Sequence, residues 1–157
     1  MKEIILKTFT EKFGSPGTAI FAPGRANIIG EHTDYNEGFV LPFAIGQGVW
    51  FYAKSNEKSH FNILAYDTNE EAVLTQDNSA LKYGWEKYFR QVLTALSGYN
   101  ITGADIVFGG NLSIGAGISS SSAITCGFVA LLNQLNDLHL NADELVNKSV
   151  EAERGYG

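Results

Sequence analysis

Residues 22–42 read APGRANIIGEHTDYNEGFVLP, a segment punctuated by glycine and proline that also concentrates ionisable side chains. A purely structural loop has little need for so many charged groups in so short a span. A pocket for a polyhydroxylated ligand does need them, because each hydroxyl seeks a donor, an acceptor or both. The residues that would supply these groups are Arg25, Glu31, His32 and Asp34.

The composition around this segment is that of an ordinary globular domain. The 157 residues are enough for one domain with its own core. A net charge of -6 and the lack of a Lys/Arg cluster argue against a nucleic-acid partner. The lone Cys126 cannot form an internal disulfide, which fits a cytoplasmic location. The N-terminus is too charged for a signal peptide and no apolar run reaches a membrane-spanning length, so no membrane partner is expected.

Hydrophobic patterning predicts an α+β fold, with helices packed on a mixed, mostly antiparallel sheet. Residues 85–96 place their apolar side chains at helical spacing, and residues 123–135 are apolar nearly all round, as in a buried helix. Two more helices are predicted over residues 1–12 and from Asn141, a favourable N-cap. Strands are predicted over residues 18–21, 39–45, 49–53, 61–66, 72–74 and 105–108, with residues 22–38 read as a loop.

A second informative segment, residues 109–123, reads GGNLSIGAGISSSSA and precedes the predicted buried helix. Small residues allow a close backbone approach, and unpaired N–H groups at a helix N-terminus form an anion site. A Walker A motif is excluded, because Ala116 and Gly117 occupy its Lys and Ser/Thr places. The residues alone leave a flexible linker or a capped turn open, although linkers seldom lead straight into a buried helix.

Both segments resemble motifs of one kinase superfamily, named GHMP after galactokinase, homoserine kinase, mevalonate kinase and phosphomevalonate kinase. The run from Pro23 to Pro42 resembles the galactokinase signature, G-R-x-N-[L/I]-I-G-E-H-x-D-Y. Residues 113–123 are similar to the superfamily's phosphate motif, P-x-x-x-G-L-[G/S]-S-S-A, and depart from it at Ser113, Ile118 and Ser122. The resemblance implies that residues 1–157 form the N-terminal domain of such a kinase and that the C-terminal domain is absent from this chain.

The resemblance also implies a reaction and roles for individual residues. The reaction is transfer of the ATP γ-phosphate to the anomeric hydroxyl of galactose, with Mg²⁺ as cofactor. Glu31, His32 and Asp34 would hold the sugar hydroxyls, and Arg25 would lie beside the reacting centre. The ATP phosphates would be bound by Gly115, Gly117, Ser119, Ser120 and Ser121. Mg²⁺ would be bound by Ser121 and Glu153.

The residues taken singly allow plainer roles. Arg25 could be a surface ion-pair partner, and Glu153 could be an exposed glutamate at a fraying helix end. A Glu-His-x-Asp cluster could also bind a metal, but no further His or Cys lies at a supporting spacing. The unbroken match to the galactokinase signature favours the sugar site.

The catalytic aspartate of the family is expected beyond Gly157, because Ala152-Glu153 matches the pair that precedes it. We therefore expect this chain alone to be inactive and to expose an apolar domain interface through which it self-associates. Two alternatives stay open: a non-catalytic sensor of sugar and ATP, and a kinase for a related sugar such as N-acetylgalactosamine.

Overall fold

A computed structural model describes residues 1–30, 38–75, 81–112 and 120–155 of the chain. Within these ranges, four helices surround one sheet of five strands. The elements in chain order are α1 (Lys2–Phe13), β1 (Thr18–Ile29), β2 (Leu41–Ser55), β3 (His60–Ala65), β4 (Glu70–Thr75), α2 (Glu86–Ala95), β5 (Ala104–Gly110), α3 (Ser120–Leu135) and α4 (Ala142–Arg154).

The strand order across the sheet is β1-β2-β5-β3-β4. The β1/β2, β2/β5 and β3/β4 pairs are antiparallel, and β3 and β5 run parallel. The predicted α+β fold with a mixed, mostly antiparallel sheet is therefore confirmed. The last strand in the chain lies at the centre of the sheet, where it joins two antiparallel hairpins.

Helices cover both faces of the sheet. Because neighbouring strand residues point to opposite faces, Tyr52 faces α1 whereas Phe51 faces the other helices. On the α1 side, Ile5 and Phe9 are fully buried. The opposite side holds the larger core, whose aromatic members include Phe51, Phe61, Phe89, Phe108 and Phe128.

The expectation that residues 22–38 form a loop is wrong for its first part. Strand β1 does not stop at Phe21 but continues to Ile29, opposite β2. Pro23 is tolerated there because β1 is an edge strand, where a missing N–H need not break a ladder on both sides. The register shifts between Pro23 and Arg25, so a bulge lies directly before the arginine.

The two strands predicted over residues 39–45 and 49–53 form the single strand β2. Pro23 is opposite Gly48 and Arg25 is opposite Ala44, so residues 45–47 bulge out between the two halves. The glycines at positions 46 and 48 mark this irregularity, and pairing on either side keeps the strand continuous.

Helix α3 begins three residues earlier than predicted, at Ser120 instead of Ala123. Serine is a poor residue for helix interiors but is favoured near N-termini, where its hydroxyl can bond to free backbone groups. The N-cap predicted for α4 is confirmed. Asn141 Oδ1 accepts from Glu144 N at 3.1 Å, and Glu144 Oε2 accepts from Asn141 N at 2.8 Å.

Helix α3 approaches the sheet closely at Gly127. A Cβ atom at this position would overlap the ring of Phe51 and lie 3.0 Å from Ala22 Cβ. The glycine thus lets the helix lie directly on the β1/β2 pair, which fixes where its first turn emerges.

We expect Gly127→Ala to destabilise the fold although alanine is the better helix former. Overpacking at such a contact costs about 1–3 kcal/mol, more than the roughly 1 kcal/mol gained in helix propensity. Urea unfolding measures the difference. The matched control is Gly98→Ala, because a Cβ at Gly98 meets nothing within 4 Å. A Gly127→Ala protein more stable than wild type would contradict this packing.

Candidate functional site

Two cavities lie on either side of the first turn of α3. The first, of about 320 Å³, is lined by Ser120 and Ser121 on its α3 side. The second, of about 430 Å³, is lined by Ser122 and Ala123. The N-terminus of α3, whose first N–H groups have no partner within the helix and where the positive end of the helix dipole lies, therefore separates the two cavities.

The first cavity is largely aromatic and apolar. Trp85 contributes one wall and packs edge-on against Phe108, with ring centroids 5.3 Å apart. Its polar lining includes Asp67 and Thr68 from the turn between β3 and β4. The remaining large side chains of the wall are Val49, Lys87, Tyr88, Leu112 and Ile124. A cleft of this kind suits a planar aromatic group whose polar end reaches the α3 serines.

A half-buried carboxylate, Glu70, and a buried one, Glu86, hold the aromatic wall in place. The Trp85 Nε1–H group donates to Glu70 Oε2 at 2.8 Å. Glu86 is 3% exposed, and its Oε1 accepts from the backbone N–H groups of Lys82 (3.1 Å) and Tyr83 (2.7 Å). These bonds satisfy groups whose burial would otherwise be costly.

The Gly/Ser segment is anchored where it leaves β5. Gly110 N donates to Asp67 Oδ2 at 2.8 Å. Burial raises the pKa of the Asp67 carboxyl, and this hydrogen bond from Gly110 opposes the rise. On the other side, Asn111 Oδ1 accepts from Gly48 N at 3.0 Å and Asn111 N donates to Gly48 O at 3.2 Å. The two anchors fix the direction in which the chain enters the segment.

The second cavity lies between β1, α3 and α4. Arg25 lines it from the bulged part of β1, with its side chain exposed to solvent. Opposite Arg25, the lining includes Cys126 of α3 and Leu145 and Ser149 of α4. An accessible guanidinium at the rim of a cavity is available for an anionic or hydroxylated ligand.

Glu153 lies near the end of α4 with one carboxylate oxygen enclosed by the protein. Its Oε1 is buried without a hydrogen-bond partner in the described part of the chain. Such an oxygen has the chemistry that a hard divalent cation takes as ligand. Among the described residues, His, Cys, Asp and Glu nowhere form a group of three that could hold a metal by themselves.

The structure brings several of the predicted site residues to the same region. Arg25 borders the second cavity, and Ser120 and Ser121 border the first. The other predicted positions, Glu31, His32, Asp34, Gly115, Gly117 and Ser119, lie outside the described residues. Within the described ranges, the helices are too short or too polar to cross a membrane.

Sequence reasoning missed Asp67 and Glu70, which anchor parts of the first cavity. Their neighbours Thr68 and Asn69 give a turn signal, but a turn signal does not show which distant groups the carboxylates meet. Asp67 contacts Gly110, 43 positions away.

The reactivity of the Cys126 thiol, which lines the second cavity, depends on the charge of Glu153. Burial raises the pKa of Cys126, the Glu153 charge raises it further, and a hydrogen bond with Ser149 opposes the rise. We expect slow alkylation by iodoacetamide at neutral pH, with a rate that still increases above pH 9. Glu153→Gln should speed the reaction about twofold by removing the negative charge.

The matched control is Glu151→Gln, because Glu151 is exposed and paired with Lys148. Since Cys126 is the only cysteine, the measured rate belongs to one thiol. Equal rates in the Glu153→Gln and Glu151→Gln proteins would contradict the placement of Glu153 beside Cys126.

Two family descriptions match this chain. Residues 7–55, which include β1 and β2, match the galactokinase galactose-binding signature. Residues 86–157, which include α2, β5, α3 and α4, match the N-terminal domain of GHMP kinases.

Similar proteins include the galactokinases of Enterococcus faecalis (39% identical over 98% of this chain and 42% of the relative) and Lacticaseibacillus casei (38% identical over 97% of this chain and 41% of the relative). Among solved structures, Lactococcus lactis galactokinase complexed with galactose is 29% identical, with a TM-score of 0.86 over 98% of this chain and 42% of that one. The mevalonate kinase of Methanococcus jannaschii, 20% identical with a TM-score of 0.76, shares the fold. The chain spans about two fifths of the length of the curated relatives it matches. It therefore belongs to the GHMP kinase superfamily, within which it matches the N-terminal portion of the galactokinases.

Proposed function

We propose that this chain supplies the N-terminal portion of an enzyme that transfers the γ-phosphate of ATP to the anomeric hydroxyl of galactose, giving galactose 1-phosphate. The observation that carries the proposal is the position of the α3 N-terminus between two cavities. Phosphoryl transfer requires donor and acceptor to meet at a site where phosphate charge is stabilised. A helix N-terminus bordered by both cavities supplies such a site.

The first cavity is the proposed nucleotide site. Its aromatic walls match a purine, and its α3 end carries Ser120 and Ser121. Gly115, Gly117 and Ser119 of the Gly/Ser segment are assigned to the phosphates. Backbone N–H groups and serine hydroxyls are suitable donors to phosphate oxygens.

We propose that the sugar approaches the α3 N-terminus from the second cavity. It is bordered by β1, the strand that carries the first half of the galactose-binding signature. Glu31, His32 and Asp34 follow β1 within that signature, and we assign them to the sugar hydroxyls.

Arg25 is proposed to act at the reacting centre. Its guanidinium is exposed at the rim of the second cavity, next to α3. A guanidinium favours the ionised form of a nearby aspartate and stabilises charge on a transferring phosphoryl group. The aspartate that it would serve is expected beyond Gly157.

Mg²⁺ is proposed as the cofactor, with Ser121 and Glu153 as its protein ligands. The buried, unpartnered Oε1 of Glu153 fits that role, and a serine hydroxyl is a further oxygen donor. The ion would neutralise charge on the ATP phosphates. We place the protein in the cytoplasm, in keeping with its single, unpaired cysteine.

The isolated chain should not phosphorylate galactose at a rate near that of the whole enzymes, because it spans about two fifths of their length and the proposed aspartate lies outside it. A coupled assay of ADP release with galactose and ATP measures the rate, with the Enterococcus faecalis enzyme as positive control. Turnover by the 157-residue chain comparable to that control would overturn the proposed division of the active site.

Calorimetry, which measures binding, and a turnover assay on the whole protein together distinguish a galactokinase from the two alternatives. Binding of galactose and ATP together with turnover supports the proposal. Binding of both without turnover indicates a sensor, and turnover on N-acetylgalactosamine but not galactose indicates a different sugar kinase.

The hairpin of β1 and β2 carries several exposed large apolar side chains at its far end. Ile28 and Ile29 are each 69% exposed, and Phe39 is 98% exposed. Leu41 and Phe43 on β2 add to this group. Exposed large apolar side chains grouped at one end of a sheet are typical of an interaction site, and we propose that they mediate self-association of the isolated chain.

Light scattering should therefore show a mass that rises with concentration. The double variant Ile28→Ser/Ile29→Ser should shift the protein toward monomer. Val73→Ser is the matched control, because Val73 is 55% exposed on β4, at the opposite edge of the sheet. A wild-type chain that stays monomeric across a wide concentration range would exclude this surface as a self-association site.

A further inference from the structure

The turn between β3 and β4, together with the first residue of β4, is bonded to two walls of the first cavity. Asp67 bonds to Gly110 and Glu70 bonds to Trp85. We propose that Asp67 and Glu70 are positioning residues for the nucleotide, which fix the distance between Gly110 at the end of β5 and the Trp85 wall. The inference rests on the proposed nucleotide site and extends it to residues outside the recognised motifs. Neither carboxylate is required to touch the nucleotide.

The turn itself is well defined. Asn69 N donates to Tyr66 O at 3.3 Å, and Asn69 adopts φ +53°, a conformation that asparagine tolerates better than most residues. Tyr66 N donates to Phe108 O at 2.8 Å, which continues the pairing of β3 with the central strand. The two carboxylates thus project from a rigid support.

Asp67 reaches the phosphate end of the cavity. Its Oδ2 accepts from Gly110 N at 2.8 Å, at the residue from which the chain enters the Gly/Ser segment. Gly110 also packs so closely on Gly48 that a Cβ atom would overlap the Gly48 carbonyl oxygen. With Asn111 bonded to Gly48 as well, Gly110 is fixed between the turn and β2. Loss of the Asp67 bond would detach Gly110 from the turn and leave it held only by its contacts with β2.

Glu70 reaches the aromatic end of the cavity. Its Oε2 accepts from Trp85 Nε1 at 2.8 Å and from Thr68 Oγ1 at 2.7 Å. One oxygen thereby ties the indole ring to the turn. Trp85 also contacts Phe89 and Phe108 edge-on, with centroids 5.4 and 5.3 Å away, so its ring has little freedom while the bond is intact.

Nucleotide titration on a chain with a single tryptophan tests the proposal. Trp50 and Trp85 are the two tryptophans, and Trp50→Phe leaves Trp85 to report from the cavity wall. MgADP is the probe, and Trp85 emission is the readout. The test variants are Asp67→Ala, Asp67→Asn, Glu70→Ala and Glu70→Gln. The matched control is Glu71→Ala, because Glu71 lies beside Glu70 on β4 but bonds to Lys12 at 2.7 Å.

Asp67→Ala removes one hydrogen bond and Glu70→Ala removes two. We expect each of these variants to raise the Kd of MgADP about 3- to 10-fold. Asn and Gln should restore affinity to within about twofold, because an amide oxygen can accept the same bonds. Glu70→Ala should also change the Trp85 emission of the free protein, whereas Asp67→Ala should not. Circular dichroism confirms that each variant is folded.

The outcomes separate this inference from the proposed function. If the parent chain binds MgADP and the two alanine variants bind equally well, the positioning role is wrong and the nucleotide site stands. An equal loss in the Glu71→Ala control would also overturn it. If MgADP leaves the parent protein's Trp85 emission unchanged and does not bind by calorimetry, the proposed nucleotide site fails and the inference fails with it.

Discussion

The contact of Gly127 with Phe51 and Ala22 is the constraint on which the candidate site depends. A side chain at this position would push α3 away from β1 and β2. The helix would then no longer place its first turn between the two cavities, and Arg25 on β1 would lie farther from the α3 serines. A single missing methyl group in the core therefore fixes the distance between the two halves of the site.

The aromatic core supports this arrangement. Phe51 packs against Phe108 and Phe89, and Phe89 packs against Phe128 of α3, with ring centroids between 4.5 and 6.4 Å apart. The same cluster extends to Trp85, which forms a wall of the first cavity. The contacts that pack the core thus also determine the shape of the first cavity. A substitution that changes the packing of this cluster will therefore change the cavity as well.

Local signals in the sequence predicted much of the fold. The apolar spacing around Trp85 and Phe89 located α2 to within one residue at each end, and Asn141 with Glu144 located the start of α4. Pro23 and Gly24 misled the prediction, because their place in β1 depends on pairing with β2 and on the edge position of the strand. Arg25 and the α3 serines could be selected as candidate site residues from motifs. Asp67 and Glu70 could not, since their partners Gly110 and Trp85 become neighbours only in the folded sheet.

The central position of β5 has a consequence for the order of folding. The β3/β4 hairpin and the β1/β2 pair each form from neighbouring segments, but the sheet joins them only through β5. During synthesis both hairpins emerge from the ribosome before residues 104–110 do, and until then each exposes an unpaired edge. Non-local pairings of this kind slow folding. We expect insertion of β5 to be the late, rate-limiting step, so that the two cavities form only when the sheet is complete.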